Sequence, residues 1–180
     1  MNNLSSQNID TKRGPMAPNY KTLLEQSRSL SNIHTIIAEF VDNSIDANAQ
    51  TVKIDTIEAD GSFDVYITDD GDGCKGVGMN SAAVGLAKNS LEIYSKTTKD
   101  KKLNRAHFDL KMLNDNPNSN DWDRLYNFEQ LDVEQAPDEQ VISFFSREKK
   151  GTVIVLRKIR YEVSGTKKKF DKSILQNHRS

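Results

Sequence analysis

Glu39-Phe-Val-Asp-Asn-Ser-Ile-Asp-Ala47 closes an apolar-periodic segment that begins near Leu30. Ile33, Ile36, Ile37, Phe40 and Val41 recur at helical spacing, which predicts a helix from a cap at Ser31 or Asn32 to about Asn43 or Ser44. On that period Glu39, Asn43 and Asp46 fall three and four residues apart and share one face. A solvated helix surface would account for such a face. Yet Phe40 and Val41 lie beside Glu39, and Ile45 and Ala47 flank Asp46. Polar groups partly sunk among apolar ones need a ligand or a network to satisfy them. Asp46-Ala-Asn-Ala49 reads as the frayed end of the helix or a turn.

The chain beyond this helix supplies a sheet. Thr51 to Ile57 alternates, with Val52 and Ile54 separated by Lys53 and Asp55. Asp60-Gly61 is a turn signal, and Ser62 to Thr68 alternates again through Phe63, Val65 and Ile67, so a hairpin follows. Then comes Asp69-Asp-Gly-Asp-Gly-Cys-Lys-Gly-Val-Gly78, too rich in glycine for core packing. Met79 to Leu91 is helix-periodic. A glycine-rich turn that opens a helix is an anion site, because free N–H groups and the helix dipole point at the ligand. The spacing suits neither a dinucleotide-binding fingerprint nor a Walker A loop.

Further on, Leu91–Ser95 and Arg105–Leu113 are strand candidates, Asn114–Asp123 is a loop anchored by Trp122, and Trp122–Glu134 is ambiguous. Ala136-Pro-Asp-Glu139 is a turn, and Val141–Ser146 is weakly apolar. Thr152–Ile159 is apolar on both faces and reads as a central strand. The expected fold is α+β: a two-layer sandwich with a mixed, mostly antiparallel sheet covered on one face by helices. Residues 1–19 read as a loose leader, 20–162 as the domain, and 163–180 as a basic polar tail or short helix.

Composition limits the function classes. With 180 residues one domain with a sizeable core is affordable. Twenty-five basic against 26 acidic residues, a formal charge of -1, give no whole-chain nucleic-acid footprint. Lys167 to Lys169 could touch nucleic acid, though a solvated tail is the simpler reading. Cys74 is the single cysteine, which excludes an intrachain disulfide framework. His34, His107 and His178 are scattered and suggest no zinc site. No apolar run approaches the roughly 20 residues that span a membrane, and no signal-peptide pattern opens the chain. A soluble intracellular protein, cytoplasmic or nuclear, is the default expectation.

Three features converge on one ligand. Asn43 offers a hard amide oxygen for magnesium, which binds through few protein groups plus phosphate. Glu39, one turn away, could orient or deprotonate a water for phosphoryl transfer. Asp69 could accept a hydrogen bond from an exocyclic amino group, and glycine N–H groups could take phosphates.

At these residues the sequence resembles the ATP-binding domain of the GHKL family, shared by gyrase-type topoisomerases, ninety-kilodalton heat-shock chaperones, histidine kinases and MutL proteins. The MORC and MutL-like branch is nearest in pattern. The first box, Glu-x-x-x-Asn-x-x-Asp-Ala, stands as Glu39, Asn43, Asp46 and Ala47. The second, Asp-x-Gly-x-Gly, stands as Asp69, Gly71 and Gly73. The third, Gly-x-x-Gly-x-Gly, is Gly73-Cys-Lys-Gly76-Val77-Gly78 followed by Met79. The fourth is Gly151-Thr152 leading into the late strand. Together the boxes cover about Ile33 to Ile159. The resemblance implies a Bergerat fold that binds ATP or ADP with Mg2+. It implies Glu39 as general base and Asn43 as magnesium ligand. Asp69 would bind adenine, with Thr152 supporting it. Asp46 and Ala47 would line the pocket, Gly71 and Gly73 would shape its floor, and Gly76, Val77, Gly78 and Met79 would form the phosphate turn.

The departure from the family is the lid. Some tens of residues normally separate the second and third boxes, whereas here Gly73 ends one and begins the other. Natural reduction, an engineered deletion or a repaired fragment would each produce this. The phosphate end should then be open to water, so the expectation is magnesium-dependent ATP binding with slow hydrolysis. The alternative is a non-hydrolysing adenine-nucleotide-binding or interaction module. The chain stops at Ser180, too soon for the second domain that supplies a lysine in hydrolysing relatives. A homodimer or missing partner domains would be the expected protein partners.

Overall fold

The computed structural model describes residues 33–59, 62–73, 87–115 and 126–159. The expectations for the leader, the Asp60-Gly61 turn, residues 74–86, Trp122 and the 163–180 tail lie outside the described residues.

Helix α1 spans Ile33–Asp46, two residues beyond the expected end. It stops because Asn48 turns left-handed, at φ 60°. The Asn48 N–H donates to Ile45 O (2.9 Å) and the Ala49 N–H to Ser44 O (3.0 Å). This pair of bonds closes the helix end, and asparagine tolerates the left-handed region better than most residues. Ile37 and Phe40 point inward and are buried, while Ile45 is 59% exposed.

Strands β1 (Val52–Ala59) and β2 (Ser62–Asp69) form the expected hairpin, in register from Val52 opposite Asp69 to Ala59 opposite Ser62. Strand β3 runs Ala87–Lys96. The helix expected to reach Leu91 is therefore already strand from Ala87 onward. Helical spacing of Ala87 and Leu91 is overridden by the free edge of another strand, which takes Leu91, Ile93 and their neighbours as a ladder. Strand β4 spans Leu103–Asp109 and helix α2 Leu110–Asp115, so the strand expected to reach Leu113 ends four residues earlier. Asp109 causes the change: its carboxylate takes the Met112 N–H at 2.8 Å. The ambiguous stretch resolves into β5 (Tyr126–Leu131) and a single 3-10 turn at Val133–Gln135. Helix α3 covers Glu139–Arg147, capped by Asp138, whose side chain accepts the Gln140 and Val141 N–H groups.

Strand β6, Gly151–Ile159, is central. The six-stranded sheet has the order β1-β2-β6-β3-β4-β5, and every described pairing is antiparallel. The reading of Thr152–Ile159 as a core strand rested on apolar residues facing both ways, and both faces are indeed filled. On one face Phe40 of α1 packs with Val65, Ile67, Leu91, Ile154 and Leu156. On the other, Val141 and Phe145 of α3 pack with Tyr94, Leu103, Val153 and Val155.

The chain is thus α+β with an antiparallel sheet. Its layering goes further than the expected two, because α3 covers the second face. The periodicity of Val141, Phe144 and Phe145 was masked by the polar residues between them.

Beneath α3 the second face also holds a polar network. Arg157 reaches Asp64 (2.9 Å), Glu92 (3.0 Å) and the helix cap Asp138 (2.5 Å). Arg105 joins Glu92 to Glu129, and the Tyr66 hydroxyl donates to Asp138 at 2.8 Å. Burial pushes the Glu92 carboxyl up, but the Tyr94 hydroxyl and both guanidinium groups more than offset this and hold it below its ordinary value. Asp138 behaves alike, lowered against its burial by Arg157 and Tyr66. Charges removed from water so completely are tolerable only when paired and hydrogen-bonded.

Candidate functional site

The site forms where the C-terminal ends of α1 and β2 meet the start of β6. Asp69 is the last residue of β2 and only 4% exposed. Alternation along β2 puts it on the α1 face with Val65 and Ile67. There Ser44 of α1 lies 2.9 Å from its Oδ2, and the Gly71 N–H donates to its Oδ1 at 3.0 Å. The Ser44 hydroxyl also lies 3.1 Å from Phe40 O, so its single proton is shared between two acceptors. Burial raises the Asp69 carboxyl above its ordinary value, and the bonds from Gly71 and Ser44 pull it partly back.

Thr152 sits opposite Asp69 in the β2–β6 register. Its hydroxyl is buried and lacks a hydrogen-bond partner of good geometry among the described residues. It is nonetheless near enough to lower the Asp69 pKa. A buried carboxylate beside a buried hydroxyl is a donor–acceptor pair suited to the edge of a heterocyclic base.

Gly151 makes this adjacency feasible. It adopts φ 134°, and a Cβ there would lie 2.1 Å from Asp69 O. Gly71 is comparably constrained: a Cβ would meet Ala47 O at 2.9 Å and Ala47 Cβ at 3.0 Å. Gly73 has φ 96° and lies near Ser95 and Thr97, at the end of β3. Gly151 and Gly71 permit backbone approaches that a side chain would block, and Gly73 a left-handed φ that side chains rarely adopt.

Of the first-box residues, Ala47 is buried and its carbonyl accepts the Asp72 N–H at 2.7 Å. Glu39 and Asn43 are half-buried, and Asp46 is exposed. Asn43 Nδ2 is buried with no partner among the described residues. An amide left unsatisfied within the body of the protein is consistent with a site completed by a ligand. No group of three or more His, Cys, Asp and Glu side chains that could hold a metal occurs among the described residues. The orphaned Asn43 Nδ2 is a hydrogen-bond donor, so what it lacks is an acceptor oxygen such as a phosphate or a water would supply. Gly76, Val77, Gly78 and Met79 lie outside the described residues.

Residues 31–75 match a family model described as histidine kinase-, DNA gyrase B-, and HSP90-like ATPase. The match covers 45 of the 180 residues. It contains the first two boxes, from Glu39 to Gly73, which are the elements that meet at Asp69. Among solved structures, the N-terminal domain of a DNA repair protein is 16% identical, with a TM-score of 0.48 over 80% of this chain and 42% of that one. The 43K ATPase domain of Thermus thermophilus gyrase B, in complex with an aminocoumarin, is 18% identical, with a TM-score of 0.49 over 80% of this chain and 38% of that one. The chain thus spans well under half the length of either. No curated protein matches it.

Four residues around this site escaped the reading of the sequence. Ser44 was hidden inside the first box as a spacer. Asp70 and Asp72 fell within the glycine-rich stretch without a role of their own, and Lys150 within a turn at Lys149-Lys-Gly151. Lys150 Nζ pairs with Asp72 Oδ1 at 2.7 Å, and Asp70 Oδ1 accepts the Gln50 and Thr51 N–H groups at 2.7 and 2.9 Å. Only the register of β2 with β6 and the end of α1 reveal these partnerships.

A cavity of about 330 Å³ is lined by Thr51, Lys53, Tyr66, Asp69, Asp70 and Phe144 among others, so it reaches the end of β2 that carries the site. Its charges are mixed, and the orphaned polar atoms of Asn43 and Thr152 are absent from its lining.

Proposed function

We propose that this domain binds adenine nucleotide with magnesium and hydrolyses ATP slowly, by attack of water on the terminal phosphate. The observation that carries the reading is the buried Asp69 carboxylate. Its two oxygens are fixed by Ser44 and Gly71, and it faces the buried Thr152 hydroxyl, which helps to hold its pKa down. The exocyclic amino group of adenine would donate to Asp69, and Thr152 would supply a hydroxyl to a ring nitrogen or a bridging water. Asn43 would hold magnesium through its amide oxygen. The ion, when bound with the nucleotide, would neutralise phosphate charge. Glu39, one helical turn before Asn43 and only half-buried, would orient the attacking water and take its proton. The phosphate turn falls to Gly76, Val77, Gly78 and Met79.

Only residues 70–86 separate β2 from β3. A span this short leaves little chain to cover phosphates, which favours binding over fast turnover. Calorimetric titration with ADP, for the parent and for Asp69→Asn, tests the pocket. Expected is magnesium-dependent binding that the substitution weakens by about tenfold or more, since a base donor loses its anionic acceptor. Equal binding by both proteins would remove the assignment of Asp69. Phosphate release separates enzyme from binding module: a parent rate no higher than that of Glu39→Ala would leave binding alone.

A further inference from the structure

We infer that Asp70 is a positioning residue for the nucleotide site, clamping the turn from Asp69 to Gly73 into its binding geometry before any nucleotide arrives. This rests on the nucleotide reading above and adds residues that the box pattern leaves unassigned.

Asp70 does not face the adenine edge. One carboxylate oxygen accepts two backbone N–H groups, from Gln50 at 2.7 Å and Thr51 at 2.9 Å. Those two residues are the link between α1 and β1. Asp70 therefore ties the end of β2, which carries Asp69, to the link that joins α1, the helix of Asn43 and Ser44, to β1. Both bonds are charge-assisted, the stronger class of hydrogen bond. Slight burial pushes the Asp70 carboxyl up, and the Thr51 and Gln50 N–H groups more than offset this, so its pKa is held below the ordinary value.

Two further ties act on the same turn. The Asp72 N–H donates to Ala47 O at 2.7 Å, one of the carbonyls that a helix end leaves without an internal partner. The Asp72 side chain pairs with Lys150, next to Gly151 and Thr152 on β6. The turn is thereby stitched to the α1–β1 link, to the end of α1 and to the start of β6. These are the three segments from which the proposed pocket is built.

The consequence is preorganisation. A turn free to wander would have to be ordered at the moment of binding, and that entropy would be subtracted from affinity. Here the ordering is done by the fold. In a domain whose chain offers little to close over the nucleotide, a preformed floor has to carry more of the recognition.

The test compares the parent with Asp70→Ala, Asp70→Asn and Lys150→Ala. ADP affinity and stoichiometry are measured by calorimetry well below each protein's melting temperature. Amide exchange at Gln50, Thr51, Gly71 and Asp72 is followed without nucleotide. Asp70→Ala is expected to bind ADP about tenfold more weakly at unchanged stoichiometry, with faster exchange at those four amides. Asp70→Asn keeps an acceptor oxygen and should recover most of the affinity, which a nonspecific loss of stability would not produce. Lys150→Ala should weaken binding about threefold, and it keeps the inference testable if Asp70→Ala does not fold. ADP affinities within twofold of the parent in Asp70→Ala, or in Lys150→Ala where the former is unfolded, would overturn the positioning role. A parent that binds no ADP would instead remove the nucleotide reading and the positioning role together. Amide exchange would then still report whether the clamp itself exists.

Discussion

Gly151→Ala is the most demanding perturbation of this fold. The added methyl would lie 2.1 Å from Asp69 O and 3.1 Å from Phe144 Cζ. To restore van der Waals contact, methyl and carbonyl must part by about 1 Å, and both belong to central strands with partners on either side. The backbone adds strain of its own, because φ 134° is a region that side chains other than glycine rarely enter, at about 1–3 kcal/mol. Overpacking a filled core adds about 1–3 kcal/mol more. A total near 4 kcal/mol is a large share of the roughly 5–15 kcal/mol that holds a domain together.

Urea denaturation followed by far-UV circular dichroism reads this directly. With a slope of about 2 kcal/mol/M, the midpoint should fall by about 2 M. Where the variant is still folded, ADP binding should be weakened by about tenfold or more, because relieving the clash separates Asp69 from Thr152. A midpoint within about 0.3 M of the parent would refute the steric argument.

Other outcomes follow from the opposite face of the sheet and from Asp69. Asp138→Ala removes the α3 cap and leaves Arg157 short of a carboxylate, so a loss of about 3–4 kcal/mol in the same urea assay is expected. An effect below about 1 kcal/mol would mean that the network is dispensable. Acid should act in two stages. Glu92 and Asp138 have folded pKa values below their ordinary 4.5 and 3.8, so their stabilisation is complete above those values. It is lost as pH falls through the lower folded values. Asp69 has the opposite sign: its folded pKa is raised, so protonation stabilises the fold as pH falls through it toward 3.8. Protonation also spoils it as an acceptor. ADP affinity should therefore decline at a higher pH than the circular dichroism signal does. Simultaneous loss of both would contradict the raised Asp69 pKa.

Much of this was legible because it depends on local period. The hairpin, the helix carrying Glu39 and the central strand each follow from spacing that no tertiary contact had to decide. Asp69 at the end of β2 was visible for the same reason. What stayed hidden depends on partners distant along the chain. Ala87 to Leu91 has helical spacing, and only the edge of β6 makes it a strand. Asp109 looks like another strand residue until its carboxylate meets the Met112 N–H. Helix α3 was obscured because Asp138, a turn residue by composition, serves as its cap. At the site, Ser44 and Lys150 have no local signature at all. Each is defined by a carboxylate 25 or 78 residues away.

The position of β6 has a consequence for how the molecule is made. It is the last strand among the described residues and lies between β2 and β3 in the sheet. Until it emerges during synthesis, β2 and β3 each present an open edge to the cell, the condition under which strands of different molecules join. Pairing Asp69 with Thr152 closes a loop of more than eighty residues, a slow step for any chain. The corner formed by Asp69 and Thr152 is therefore among the last parts to exist. A nucleotide that binds there would select finished molecules from unfinished ones, and would slow the departure of β6 once it has arrived.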